Sequence, residues 1–257
     1  MSCAERLLEA AAKNDTKTIK ELLKQDGIVV DDKAGGKQTA LVAAAKGKAP
    51  DAIDLLIAAK ADVNSQEDET DLTALHYACR GGNQMALGVL ALVDAGADVS
   101  LLAKTTGSTP LDEAGFVPPV QHALLTSLLS RMELSNTPPA TLDFIVALCA
   151  ASALGDVERS KAVLSEFSRW KKKQQAGGGA ESAGARNDGV SEVLVNGRDV
   201  LGRTAIHWAC RGGMMSCAHF LLGKGANPEV RANPDVDRVW KTELWDSRLW
   251  EGNGEGR

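Results

Sequence analysis

The sequence predicts an all-α solenoid of about six helix-turn-helix units, and three observations predict it. The first is composition. There are 38 alanines among 257 residues, beside one Tyr, four Phe and five Trp. Hydrophobic residues reach 44% and aromatics only 4%. A core of Ala and Leu suits closely approaching helices better than a β-sandwich. The second is internal identity: Thr73-Ala-Leu-His-Tyr-Ala-Cys-Arg-Gly-Gly82 and Thr204-Ala-Ile-His-Trp-Ala-Cys-Arg-Gly-Gly213 agree at eight of ten positions. The third is a period. Thr39 and Thr109 open similar segments, 34 residues before and 36 residues after Thr73, a spacing that belongs to repeat architectures.

A second fixed point follows each start: Ala61-Asp-Val-Asn64, Ala97-Asp-Val-Ser100 and Gly225-Ala-Asn-Pro228. Apolar runs such as Ile53-Asp-Leu-Leu-Ile57 and His219-Phe-Leu-Leu222 lie between the two points. At these residues the chain resembles the ankyrin repeat family, whose unit starts T-P-L-H-x-A. The resemblance implies paired helices with β-turn fingers reaching between units, and a protein-binding role without chemistry of its own.

Elementary chemistry accounts for the pattern. A starting Thr caps the first helix, and a His three residues on bonds nearby polar backbone. This makes Thr73, His76 and Gly82, and their counterparts Thr204, His207 and Gly213, structural anchors. Small Ala residues let the helices approach, and the tenth-position Gly allows the turn between them. The closing Gly-Ala-Asp stops the second helix. One unit cannot bury its own apolar face, so units must stack.

In chain order, residues 3–36 form a capping unit with helices near residues 4–13 and 16–24. Units of about 37–70, 71–106 and 107–140 follow. The third unit carries two extra residues, expected near residues 88–92. In the fourth, Phe116-Val-Pro-Pro-Val120 replaces the usual turn. Pro118 and Pro119 end one helix and suit the first positions of the next. The fifth unit, 141–200, is degenerate. Its closing loop is interrupted by a flexible insertion at 171–187, rich in Gly and Ala with almost nothing to bury. The sixth unit is 201–234, which makes 3–234 the repeat domain. A tail, 235–257, carries Trp240, Trp245 and Trp250. It either caps the last repeat as a short helix or docks in a partner groove.

Several function classes are disfavoured. Net charge is −5, against a general binder of nucleic acid or acidic membranes. Charged residues near Met1 are unlike a signal peptide, and the most apolar stretch, 144–154, is too short to cross a bilayer. Five widely spaced cysteines argue against a disulfide framework and for a reducing compartment. The expected location is therefore the cytoplasm, with the nucleus also open. Nucleophile, zinc-protease and phosphate-loop motifs are absent from the sequence. No catalytic residue, cofactor or metal is expected. His76 with Cys79 and His207 with Cys210 share helix faces, but the repeat frame already accounts for both His. Thr137-Pro138 stands as a turn or a proline-directed kinase site. Arg169-Trp-Lys-Lys-Lys173 reads as a solvated helix end, an import signal or an acidic-partner site.

The expected function is a soluble, monomeric adaptor or regulatory subunit that holds another protein, with an acidic segment, along the inner repeat face. An assembly chaperone or targeting factor holding a client transiently is the alternative, and a metal-binding or enzymatic protein is a further one. Inner-face candidates are Lys46, Arg80 and Arg211, with Tyr77 and Trp208 beside them. Aromatic and Arg groups are the usual energetic anchors of interfaces. Loop-tip candidates are Lys37, Gln38, Glu67, Asp68, Glu69 and Leu72 in the earlier fingers. Lys104, Ser108, Arg198 and Arg203 stand in the later ones. Helices packed about 8–10 Å apart put Arg80 and Arg211 roughly 25–30 Å apart, which suits an extended protein surface.

Overall fold

A computed structural model describes residues 2–25, 27–33, 37–115, 117–134, 141–176 and 188–232. Trp240, Trp245, Trp250, Thr137, Pro138 and the centre of the insertion lie outside the described residues. The chain divides into two compact units, 1–147 and 148–257.

The first unit is built from α1 (Cys3–Ala12), α2 (Thr16–Leu22), α3 (Ala40–Lys46), α4 (Pro50–Ala58), α5 (Ala74–Arg80), α6 (Ala86–Asp94), α7 (Pro110–Ala114) and α8 (Pro118–Leu134). The division between units falls within α9 (Thr141–Ala153). First helices stack in one row, α1 on α3 on α5 on α7. Second helices stack in another, α2 on α4 on α6 on α8. The core runs between the rows. Leu7, Leu41, Leu75 and Leu111 come from the first helices, and Ile19, Ile53, Val89 and Leu124 from the second.

The caps explain where the first helices start. Thr39, Thr73 and Thr109 are extended, and each hydroxyl accepts from the backbone N–H three residues on. In α5 the box is closed by a histidine rather than a glutamate: His76 Nδ1 accepts from Thr73 N–H at 3.2 Å. Its other nitrogen then donates to Ser108 O at 3.2 Å, in the following finger. One fully buried ring thus caps its own helix and ties it to the next repeat. After α3, α5 and α12 (Ala205–Arg211) the turn passes through left-handed backbone at the tenth position of the frame. Gly82 (φ 70°) and Gly213 (φ 68°) adopt it freely, and Lys48 (φ 56°) adopts it in the second unit of the repeat.

One local expectation changes in this unit. The extra residues of the third unit do not fall at 88–92. They form a 3₁₀ turn, Gly82–Met85, ahead of α6, and Met85 is buried by it. The helix phase of α6 is therefore kept, because a tighter turn absorbs the surplus before the apolar stripe begins. In the fourth unit α8 opens at Pro118, as the sequence leads one to expect, where the missing N–H costs nothing.

The second unit contains α10 (Val157–Ala176), α11 (Asp188–Val195), α12 (Ala205–Arg211) and α13 (Met215–Gly223). The insertion does not begin as a flexible stretch at 171. Residues 171–176 continue α10, which reaches 20 residues, and α11 packs back against it. Lys, Gln and Ala are good helix formers, so a helix held by the buried Val163, Leu164 and Phe167 propagates past its packed turns. Among the described residues there is no β-ladder. One isolated antiparallel bridge, Gln66 with Thr73, marks a finger. No described helix is long and apolar enough to cross a membrane.

Candidate protein-interaction surface

Lys46 ends α3, Tyr77 and Arg80 lie on α5, and Glu113 lies on α7. Since α3, α5 and α7 are stacked neighbours, these side chains meet. The frame sets the meeting. Lys46 and Arg80 are seven residues after their starting Thr, while Tyr77 and Glu113 are four after theirs. A seventh-place cation therefore reaches the fourth-place residue of the following repeat.

The geometry is specific. Arg80 grips Glu113 with two hydrogen bonds, Nε to Oε2 at 2.8 Å and Nη2 to Oε1 at 2.9 Å. Ser108 Oγ donates to the same carboxylate at 2.6 Å. Tyr77 Oη donates to Glu67 Oε2 at 2.6 Å, and Thr70 Oγ1 to the same oxygen at 2.7 Å. Lys46 Nζ reaches Glu67 Oε1 at 3.2 Å. The Lys46 ammonium and the Arg80 guanidinium lie 5.3 and 5.8 Å from the Tyr77 ring centre. Both distances are within cation–π range.

Electrostatics follow from these contacts. Burial pushes the Glu67 carboxyl up, but hydrogen bonds from Tyr77, Thr70 and Lys46 outweigh it and hold it below the ordinary value. Glu113 behaves alike: burial raises it, and Arg80 and Ser108 bring it down. Hydrogen bonding to Glu113 raises Arg80. Burial and the Glu67 contact raise Tyr77. Both carboxylates are thus held ionised, and the Lys46–Glu67 and Arg80–Glu113 pairs are neutral as a set.

The sequence candidates separate by burial. Lys46, Arg80, Asp68, Glu69, Lys104, Arg198 and Arg211 are exposed, and Tyr77 and Ser108 are half-buried. Glu67 (7% exposed) and Leu72 (3%) are inside the finger, so they present no side chain at its tip. Trp208 (1%) and Arg203 (0%) are likewise interior, not surface anchors. Arg203 Nε donates to Asp199 Oδ2 at 2.7 Å, and its guanidinium lies 4.7 Å from the Trp208 ring centre. A charge that deep persists because it is paired and stacked. In the exposed fingers, Lys33 pairs with Asp68 and Lys37 with Glu69. Successive fingers are bonded through backbone, Asp68 N to Lys37 O and Lys104 N to Thr70 O. Arg198 Nη1 donates to Arg231 O at 3.4 Å. Arg211 belongs to the second unit and the Tyr77 group to the first.

Glu113 was missed by sequence reasoning. The seventh-to-fourth offset between adjacent repeats is the signal that finds it. In the first His–Cys pair both ring nitrogens of His76 are engaged, and burial pushes the Cys79 thiol up. All five cysteines are free. Among the described residues no cluster of three or more His, Cys, Asp or Glu is placed to hold a metal ion.

Stacked helix pairs joined by fingers define a repeat protein. A model of three consecutive ankyrin repeats matches residues 7–103, and a single ankyrin repeat model matches 201–233. The chain belongs to the ankyrin repeat family, whose repeats are generally protein–protein interaction modules. A comparison with curated proteins returned no match. Among solved structures, similarity is found to a chain in the complex of the Bd0816 predatory endopeptidase from Bdellovibrio bacteriovorus with immunity protein Bd3460. Identity is 22%, covering 86% of this chain and 98% of that chain, with a TM-score of 0.45.

Proposed function

We propose that this chain is a non-catalytic adaptor or regulatory subunit that binds another protein through the Tyr77 surface of its first unit. The observation that carries the reading is the pre-arranged group Lys46, Tyr77 and Arg80. Glu67 and Glu113 hold those side chains in place before any partner arrives. Ordering them in advance removes much of the entropy cost of binding. Tyr and Arg are also the side chains that most often dominate interface energy. The two cations are already neutralised, so a partner here gains ring area and hydrogen-bond specificity rather than bulk charge attraction. A reducing location such as the cytoplasm is consistent with five free cysteines.

Affinity capture with the intact chain beside a Tyr77→Ala/Arg80→Ala variant tests this. A bound partner should weaken by about 2 kcal/mol or more, roughly thirtyfold, in the variant, with its helix content retained. Undiminished binding of every captured partner by a folded variant would remove the Tyr77 surface from the function.

A further inference from the structure

We infer that the end of α10 is a second docking surface, taking an acidic protein segment along Arg169, Lys172 and Lys173. These residues stand at i, i+3 and i+4, so they share one face of the helix within a single turn. All three are exposed. Among the described residues, Lys172 and Lys173 have no carboxylate partner, and Arg169 meets only Glu166.

That contrasts with the Tyr77 surface. There Lys46 and Arg80 each face a carboxylate of the same chain. A partner's acidic group would have to displace those partners, but at α10 it meets the Lys172 and Lys173 ammonium groups, which face no carboxylate among the described residues. The attraction for an acidic segment therefore lies at α10 and not on the Tyr77 surface.

The same helix argues for a protein segment over a lipid surface. Its apolar side chains are turned inward: Phe167 is buried, and Trp170 is half-buried and stacked on it with centroids 5.6 Å apart. Lys171 lies over the Phe167 ring at 5.9 Å. Among the described residues no apolar face is left there to enter a membrane interface. Three cations on a chain of net charge −5 are too few for general nucleic-acid binding. Reading the run as an extended import peptide would require α10 to unwind through 176. A helical stripe of cations instead matches carboxylates at the same i, i+3, i+4 spacing.

The test uses the full chain and a labelled alanine-based peptide with Glu at i, i+3 and i+4 through two turns. Its Gln counterpart, vesicles containing phosphatidylserine and a duplex DNA oligomer serve as competitors. Fluorescence anisotropy at low ionic strength should show binding of the Glu peptide that weakens as salt is added. Arg169→Gln/Lys172→Gln/Lys173→Gln should weaken it about tenfold or more. Gln keeps helix propensity, so circular dichroism and melting should match the parent. The Lys172→Gln and Lys173→Gln single variants should share the loss. Tyr77→Ala/Arg80→Ala should bind the peptide normally, which separates this surface from the one proposed above. Equal binding by the triple variant, equal binding of the Gln peptide, no binding, or tighter binding of vesicles or DNA would each overturn the assignment.

Discussion

His76 shows how much one side chain does in this fold. It accepts from the Thr73 N–H and lies within hydrogen-bond distance of Ser108 O, so a cap and an inter-repeat tie depend on one neutral ring. Burial holds its pKa below the ordinary imidazole value. The unfolded chain, with an imidazole pKa of about 6.5, then takes up a proton that the folded chain refuses. Stability is complete above that value and declines as pH falls from it toward the lower folded value. Melting temperature should therefore drop between about pH 7.5 and pH 5.5. The drop should be smaller in His76→Gln, whose amide preserves the capping geometry. Equal drops in the two proteins would show that His76 is not the titrating group. Residue chemistry also explains why Tyr77 and Trp208, four residues after Thr73 and Thr204, differ in exposure. Trp208 is 1% exposed and stacked by the Arg203 guanidinium, whereas Tyr77 stands half-buried between Lys46 and Arg80.

Among the elements, stacking distance is the controlling quantity. A Cβ on Gly47 would lie 2.1 Å from Ala12 O and 2.9 Å from Ala12 Cα, both backbone. The capping unit and the second repeat thus approach through a glycine, and no side-chain rotation relieves the overlap. Gly47→Ala should destabilise the first unit by about 1–3 kcal/mol, read by urea unfolding. An unchanged midpoint would show that α1 and α3 can separate without cost. The long α10 and the 3₁₀ turn Gly82–Met85 carry the complementary lesson. Surplus residues are absorbed outside the stacked turns, as a tighter helix in one repeat and an extended helix in the other, so the α6 stripe keeps its phase.

For the molecule as a whole, stability is a chain of nearest-neighbour terms. In the first unit each helix packs on its neighbours in its row, α1 to α7 in one and α2 to α8 in the other. A repeat array of this kind is stabilised by intrinsic and adjacent-interface terms. A fragment ending at residue 147 should therefore unfold cooperatively by circular dichroism, and loss of a sigmoidal melt would show that it needs residues beyond. The repeat frame was legible in the linear residue order because Thr, His, Ala and Gly recur where a cap, a tie, a close approach and a left-handed turn require them. The family model matches at 7–103 and 201–233 follow the same recurrences. Surface and interior were not legible to the same degree. Glu67, Leu72, Arg203 and Trp208 carry side chains suited to an interface, yet they are buried. Glu113 looked ordinary, yet it organises Arg80. Local spacing sets which way a residue faces on its own helix. Whether that face meets water or a neighbour depends on side chains about one repeat away, and only packing brings those together.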